Sequence, residues 1–427
     1  MLRLPRVEAI LLSLRILAAY TASLTNNNRE VTMLRRVLAL SLLMAGMFSA
    51  AAAAQELMTE KKTLELPSFT TAGGKTIRNV RVGWESYGQL NADKSNAVLI
   101  THFFSGTSHA AGKYKPDDKA AGYWDAVIGP GKAIDTNTYY VISADTLVNL
   151  NAKDPNVVTT GPASINPETG KPYALSFPIV TIRDFVNVQK ALLESLGIRR
   201  LHAVMGASMG ALQAYEWASA YPEMVGKVVP VIGAGESDGY LIAWLDAWAA
   251  PIRVDANWNN GNYYGGKEPL DGLTAALKTV TLHAQHWAWA NGPTLGRKWA
   301  AADKDPGACL TDCKYAIEAA LDAAGRGRAV LSDANHFLYL VKANQLFVAG
   351  GTTLADGLKR IDAPVLLISS DDDQVFHADG INQTASLIKA DGIPLQHVKI
   401  KGGRGHLDGV VAIGQAGAAI TAFLGQK

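Results

Sequence analysis

The sequence feature that most constrains the fold is the segment LHAVMGASMGALQAYEWASA at residues 201–220. It begins with apolar residues typical of a short buried strand, turns through Gly-Ala-Ser-Met-Gly at 206–210, and continues with apolar residues at helical spacing. A Gly-x-Ser-x-Gly turn between a strand and a helix exposes a nucleophilic serine at the edge of a sheet. The two glycines lack a Cβ atom and so permit the sharp turn. We therefore predict that Ser208 is a nucleophile.

Short apolar segments alternate with helical segments on both sides of this turn. The predicted strands lie at residues 96–102, 139–144, 201–205, 227–232, 365–369 and 397–401. Residues 182–196 and 380–390 are predicted helices, and residues 63–88 are a predicted antiparallel hairpin. This alternation indicates an α/β fold with a mostly parallel central sheet covered by helices.

The strand pattern stops between residues 235 and 354, where most of the nine Trp residues lie. This segment is helical in character and is predicted to form a helical lid over the carboxyl edge of the sheet. The predicted domains are therefore an N-terminal extension and signal peptide (1–54), the first part of the core (55–234), the lid (235–354) and the second part of the core (355–427).

The beginning of the chain is typical of a targeting segment. MLRR at 33–36 is a basic start, an apolar run follows at 37–48, and residues 49–54 are small, as at a cleavage site. The alternative interpretation of this segment is a membrane anchor, but the apolar run is short for a span. We predict a signal peptide at residues 33–54, a periplasmic or secreted protein, and no stable membrane insertion. The polar-interrupted residues 1–32 indicate an upstream start codon.

Composition argues against a nucleic-acid partner. The 427 residues are 48% hydrophobic and 18% charged, which is globular composition, and the formal net charge is +2. The positive charge is concentrated in the Arg-rich residues 1–54, and the remaining chain carries no block of like charge.

A serine nucleophile needs a base and an acid, which follow it along the chain in this architecture. His406 lies in the Gly-rich loop GGRGH after the last predicted strand and is the predicted base, with His377 as a weaker rival. The acid is predicted among the three Asp residues 371–373, and Asp373 is chosen because it precedes an apolar pair by two residues. His397 lies inside the last strand and is predicted to be structural.

The oxyanion of the tetrahedral intermediate needs two backbone donors. The N–H of Met209, directly after the nucleophile, is the first predicted donor. The second is predicted in the loop HFFSG at 102–106, from Phe104 with Phe103 as the alternative.

The two Cys residues, Cys309 and Cys313, leave three states open. An oxidising compartment favours a local disulfide, whereas two reduced thiols or half of a metal site are the alternatives. No metal or organic cofactor is predicted, because His283 and His286 lack an acidic partner at ligand spacing.

Long stretches of the chain resemble the homoserine O-acetyltransferase family of the α/β-hydrolase superfamily. The densest lie at residues 122–143, 160–198 and 205–223 (MGASMGALQAYEWASAYPE), with shorter ones in the lid at 256–266 and 332–340. The resemblance implies the α/β-hydrolase fold, with Ser208 as nucleophile, Asp373 as acid and His406 as base. In this family an acetyl group passes from acetyl-CoA to the serine and then to homoserine, and dimers often form through lid helices, so a homodimer through the lid is compatible with the resemblance.

Two positions depart from that family's pattern. The family usually has an Asp directly after the catalytic His to hold the amino group of homoserine, whereas this chain has Leu407, with an Asp only at Asp408. The family's lid also carries an Arg for the substrate carboxylate, and counting back without gaps from Trp258 places that position at Ala249. The segment 146–159 also differs from the family's Gly/Cys-rich loop. A zwitterionic substrate would lose both charge partners.

We therefore predict an exported serine hydrolase that cleaves small-molecule esters or acyl compounds through a covalent acyl-Ser208 intermediate. Because acetyl-CoA is a cytoplasmic metabolite, an exported enzyme would lack this donor, and water would resolve the acyl-enzyme. The alternative is homoserine O-acetyltransferase or a related acetyl-CoA-dependent O-acyltransferase. A third hypothesis, a binding protein that keeps the fold without catalysis, gives no reason for a complete set of nucleophile, acid and base.

Overall fold

The structure is a computed structural model that describes residues 56–426. The predicted N-terminal extension and signal peptide lie outside the described residues. An eight-stranded sheet runs through the described chain. Its strands, numbered in chain order, are β1 (Lys62–Thr70), β2 (Thr76–Tyr87), β3 (Ala97–Thr101), β4 (Tyr140–Ala144), β5 (Ala203–Ala207), β6 (Val228–Val231), β7 (Val365–Ser370) and β8 (Leu395–Ile400).

The strands lie side by side in the order β1-β2-β4-β3-β5-β6-β7-β8. β1 and β2 form the predicted antiparallel hairpin, and β2 also pairs antiparallel with β4. All pairings from β4 through β3 to β8 are parallel. Because the carboxyl ends of parallel strands meet at one edge, the loops after β3, β5, β7 and β8 gather there.

Helices cover both faces of this sheet. In chain order they are α1 (Ile182–Ser195), α2 (Met209–Ala220), α3 (Gly239–Val254), α4 (Leu270–Ala284), α5 (Trp287–Ala290), α6 (Ala316–Ala329), α7 (Ala334–Gln345), α8 (Leu354–Leu358), α9 (Ala378–Ala390), α10 (Asp408–Val411) and α11 (Gly417–Leu424). Alternate residues of β7 pack into two separate cores: Val365 and Leu367 join the one that contains α1 and α2, and Leu366 and Ile368 join the one that contains α11. A sheet buried on both faces agrees with the predicted α/β class.

The segment between β6 and β7 is helical, as the sequence predicts, and contains α3 to α7. Helix α3 packs against α4 and α7, and α4 packs against α6. Trp248 on α3 is buried, with its ring centroid 5.6 Å from that of Phe104 in the loop after β3. Trp287 and Trp299 are exposed instead. The limits 235 and 354 of the lid remain a prediction.

The two cysteines lie in the loop between α5 and α6. The structure joins Cys309 and Cys313 in a disulfide. Of the three states that the sequence leaves open, this is the one favoured by an oxidising compartment.

Within residues 56–426, no single helix is long and apolar enough to cross a membrane. The segments Gly405–Val411 and Ile413–Leu424 together have the length and apolar composition of a membrane span, but the chain bends by 67° between them. Their residues Ile413, Ile420 and Phe423 are buried against the sheet.

The turn between β5 and α2 lies directly against β3. A Cβ atom added to Gly210 would overlap the carbonyl oxygen of Thr101, and one added to Gly206 would overlap the Thr101 hydroxyl. That hydroxyl donates to the Gly210 carbonyl at 2.8 Å. Both glycines of the motif are therefore required because the backbones approach too closely for any side chain.

Two buried histidines join the lid to the core. His283 of α4 donates from Nε2 to the carbonyl of Gln374 at 2.9 Å, and His336 of α7 lies 2.8 Å through Nδ1 from the carbonyl of Asn149. The Nε2 atom of His336 accepts from the N–H of Ala163 at 3.3 Å, which fits a neutral ring. Burial lowers the pKa of His336 and lowers the pKa of His283 to about 4.

Because these pKa values are lowered, we predict that the folded protein becomes less stable as the pH decreases. The unfolded chain takes up protons at its histidines near pH 6.5, whereas the folded protein keeps His283 neutral down to about pH 4. The contribution of His283 is therefore complete above pH 6.5 and is lost as pH falls toward 4, at up to about 1.4 kcal/mol per pH unit. Urea unfolding at pH 7.5 and 5 measures this loss.

His283→Gln keeps a side-chain N–H for the Gln374 carbonyl but cannot titrate, so it should reduce the loss of stability between pH 7.5 and 5. His377→Gln, at an exposed position, is the matched control. An equal change in both variants, or none in His283→Gln, would contradict this assignment.

Candidate active site

Ser208 lies at the turn between β5 and α2, where the sequence predicts the nucleophile. Its backbone has φ 57° and ψ −121°, a conformation that residues with side chains rarely adopt. Its N–H donates to the carbonyl of Val231 on β6 at 2.9 Å, which ties the turn to the sheet. Strained backbone of this kind persists where the surrounding structure fixes it, and it is concentrated at functional sites.

The side chains of Ser208, His406 and Asp373 form one hydrogen-bonded chain. The Ser208 hydroxyl lies 2.8 Å from Nε2 of His406, and Nδ1 of His406 lies 2.8 Å from Oδ2 of Asp373. With Nδ1 carrying the proton, the ring donates to the carboxylate and accepts from the hydroxyl through Nε2. All three side chains are buried. The structure thus brings together the three residues predicted for the site.

The carboxylate of Asp373 is held by the loop after β7. Its second oxygen, Oδ1, accepts from the N–H groups of Val375 at 2.8 Å and Phe376 at 3.0 Å. Because an ionised carboxylate only accepts hydrogen bonds, this arrangement fits the charged form, which orients the imidazole.

The neighbouring candidates occupy other places. Asp371 pairs with Lys399 at 2.8 Å, and Asp372 lies 3.9 Å from Lys401. His397 lies inside β8, 2.8 Å from the hydroxyl of Ser369, in the structural role predicted for it. Of the three acids left open by the sequence, Asp373 is the one that contacts His406.

The loop that carries His406 is fixed by Asp408, a residue that sequence reasoning did not assign to the site. Asp408 is fully buried. Its carboxylate accepts from the N–H of Gly402 at 2.8 Å, the N–H of Arg404 at 3.0 Å and the hydroxyl of Ser370 at 3.1 Å. It therefore joins the loop after β8 to the end of β7 and is not available to a substrate amine.

The predicted oxyanion donors lie beside the nucleophile. Met209 is the first residue of α2, and the N–H groups in the first turn of a helix have no acceptor within the helix. Within residues 56–426, the N–H groups of Met209, Phe103 and Phe104 donate to no other group. Phe103 and Phe104 both line the cavity above Ser208. The structure keeps both as candidates for the second donor.

The loop after β3 is held by amides that sequence reasoning missed. Asn149 donates to the carbonyl of Gly106 at 3.1 Å, and Asn151 donates to that of Ser105 at 3.1 Å. His102 lies 2.8 Å from the carbonyl of Phe103 through Nδ1. Both Asn residues belong to the segment 146–159. The only sequence-based indication at this segment is that it differs from the family's Gly/Cys-rich loop.

A cavity of about 110 Å³ opens above Ser208 and His406. Its walls come from the loops after β3, β6, β7 and β8 and from the lid, and most of them are apolar. The other lining residues are Phe103, Phe104, Ser105, Ile232, Trp248, Val280, Thr281, Ala284, Arg328, Val375, Leu407 and Val410.

The charges around this cavity differ from the sequence-based expectation. Leu407 lines the cavity, next to His406. Ala249 is fully buried in α3 and is not among the lining residues. Arg328, at the end of α6, brings a cation to the wall that the sequence did not predict. The lid folds α6 over the site, so the cavity wall carries a cation at a position other than the one that the family resemblance indicates.

The described part of the chain contains no group of three or more His, Cys, Asp or Glu side chains arranged to hold a metal ion. His283 packs instead against the ring of Trp244, with the two centroids 4.1 Å apart. His286 precedes α5 and accepts from the N–H of Ala288 at 3.4 Å. The absence of a metal or cofactor requirement remains a prediction.

Comparison with known proteins relates the chain to one superfamily. A family profile described as "alpha/beta hydrolase fold" matches residues 158–410. Homoserine O-acetyltransferase of Methanohalobium evestigatum is 37% identical over 369 residues, which cover 86% of this chain and 73% of that protein.

Solved structures give the same relationship. The crystal structure of esterase E22 is 52% identical, has a TM-score of 0.83, and matches over 86% of this chain and 100% of its own. Homoserine O-acetyltransferase from Bacillus anthracis is 35% identical with a TM-score of 0.82, over 87% of this chain and 98% of its own. The chain therefore belongs to the homoserine O-acetyltransferase-like family and is an enzyme of the α/β-hydrolase superfamily with that superfamily's fold.

Proposed function

We propose that the protein is a serine esterase that hydrolyses small carboxylic esters. The observation that carries this proposal is the chain of hydrogen bonds from Ser208 through His406 to Asp373, each 2.8 Å long, at the floor of a mostly apolar cavity. A hydroxyl bonded to an imidazole that is itself bonded to a buried carboxylate is the arrangement required for nucleophilic attack on an acyl carbon.

In the acylation step, the Ser208 oxygen attacks the ester carbonyl while Nε2 of His406 takes its proton. Asp373 holds the imidazole in the required tautomer and stabilises the imidazolium. The N–H of Met209, together with that of Phe104 or Phe103, donates to the oxyanion, and each such donor contributes about 3 kcal/mol to the transition state. His406 then returns the proton to the leaving alcohol.

The second step decides between hydrolysis and transfer. Water or an alcohol attacks the acyl-Ser208 with His406 as the base, and the acid or a new ester leaves. Homoserine would have to place its ammonium group near His406, where Leu407 offers no charge. An unpaired ammonium in an apolar pocket is costly, which favours water as the acceptor.

The relatives support two candidate functions. Esterase E22, at 52% identity, favours hydrolysis. Homoserine O-acetyltransferase, the name of the curated relatives at 35–37% identity, is the second candidate. The apolar surface of Leu407 beside the base is our reason for preferring hydrolysis.

Ser208→Ala should lower the rate of p-nitrophenyl acetate hydrolysis at least about 1,000-fold, because the nucleophile is lost. Ser195→Ala, which removes a hydroxyl bonded only to its own helix, is the matched control and should retain wild-type activity. Initial rates measured by nitrophenolate absorbance test this. Equal activity of Ser208→Ala and wild type would exclude the proposed nucleophile.

The competing function predicts a different product. Given acetyl-CoA and homoserine, the wild-type protein should release free thiol no faster with homoserine than without it. Leu407→Asp, which restores a carboxylate for the ammonium group, should make thiol release depend on homoserine. Homoserine-dependent release by the wild type at a rate exceeding that of ester hydrolysis would favour the acetyltransferase.

We also propose that the protein is exported, with residues 33–54 as a cleaved signal peptide. The basic start, the short apolar run and the small residues that follow support this. Expression of the full chain in a Gram-negative host should yield periplasmic protein whose N-terminal sequence begins at Gln55. An uncleaved protein retained in the cytoplasm would contradict export and would strengthen the acetyltransferase candidate.

A further inference from the structure

Arg328 is a partly buried cation in the candidate active site, and within residues 56–426 it forms no ion pair. It lies in the last turn of α6 and lines the same cavity as Ser208 and His406. Its Nη1 donates to the hydroxyl of Thr281 on α4 at 3.0 Å. Its Nη2 is buried and has no hydrogen-bond partner within residues 56–426, and no carboxylate of that range forms an ion pair with it.

A guanidinium in this position is unfavourable for the unliganded protein. Burial lowers the pKa of Arg328 to about 10, so the group still carries its charge at neutral pH. An isolated buried charge destabilises a fold unless something pairs with it, and packing alone would be served better by an apolar side chain. The charge is therefore explained by a partner that arrives with the substrate.

The chemistry of the cavity limits what that partner is. The surfaces of Phe103, Trp248, Val280 and Val375 around Arg328 are apolar, and no Asp or Glu is among the lining residues. A planar guanidinium with a free N–H group suits a carboxylate, which accepts charge-assisted hydrogen bonds. An ammonium group would find no counter-charge there. The site thus fits a substrate that carries an anion but no amine.

We propose that Arg328 binds a free carboxylate on the substrate, so that the enzyme prefers small esters that carry a carboxylate and no amino group. The inference rests on the proposed esterase function and names its substrate class. With monoethyl succinate, the Ser208 oxygen displaces ethanol, and water then releases succinate. Overall, one ester and one water molecule give one acid and one alcohol, and no other reactant is needed.

The test compares anionic and neutral esters. Monoethyl succinate carries the carboxylate on the acyl side and acetoxyacetate carries it on the alcohol side, so the two distinguish where Arg328 binds. Diethyl succinate and ethyl acetate are the neutral counterparts. For the wild type, kcat/KM should be at least tenfold higher for one anionic ester than for its neutral counterpart.

Arg328→Met should lower the ratio of kcat/KM for the preferred anionic ester to that for its neutral counterpart at least about 100-fold, mainly through KM. Arg328→Lys should restore part of the ratio. Arg326→Met removes an exposed Arg two residues earlier on the same helix, which pairs with Asp271, and is the matched control. It should leave the ratio unchanged.

Binding without turnover supplies an independent readout. Succinate or acetate should raise the melting temperature of the Ser208→Ala protein, and adding Arg328→Met should abolish the increase. An equal preference of the wild type for neutral and anionic esters, or an equal loss with both in Arg328→Met, would overturn the assignment while leaving the esterase proposal intact. Failure to hydrolyse any ester would instead contradict the esterase proposal, and the melting experiment would still test Arg328.

Discussion

The site depends on the contact between the serine turn and β3. Gly206 and Gly210 allow the turn to lie against Thr101, and this contact fixes Ser208 in its strained conformation at the carboxyl edge of the sheet. The same contact aligns two donors, because Met209 begins α2 and the loop with Phe104 begins where β3 ends. Gln213 of α2 reinforces it by donating to the carbonyl of His102 at 3.2 Å. One close approach therefore positions both Ser208 and the candidate oxyanion donors.

Asp373 and His406 are positioned by hydrogen bonds in the loops after two neighbouring strands, β7 and β8. Two N–H groups hold the carboxylate of Asp373, and Asp408 holds the loop of His406 against the end of β7. The lid completes the cavity with Trp248 and Arg328. The core thus carries Ser208, His406 and Asp373, while the lid and Leu407 contribute the walls of the cavity beside them.

The parts of this arrangement that the sequence predicted are those encoded locally. The strand-turn-helix around Ser208 is visible in twenty consecutive residues, and the order nucleophile, acid, base follows from the order of the strands. The places of Asn149, Asp408 and Arg328 at the site could not be predicted because they arise from tertiary contacts with residues on other elements. The family resemblance indicates Ala249 of α3 as the position of the family's Arg, whereas the structure brings Arg328 of α6 to the cavity wall.

In the proposed reaction an ester transfers its acyl group to Ser208, and water then removes it. The most direct measurement is mass spectrometry of the protein quenched at short times after mixing with p-nitrophenyl acetate, with peptide mapping of the modified site. We expect one acetyl group on Ser208 that disappears in buffer alone at the rate of turnover. Ester hydrolysis without any acetyl-Ser208, or an acetyl-enzyme that persists until an alcohol acceptor is added, would contradict the proposed reaction.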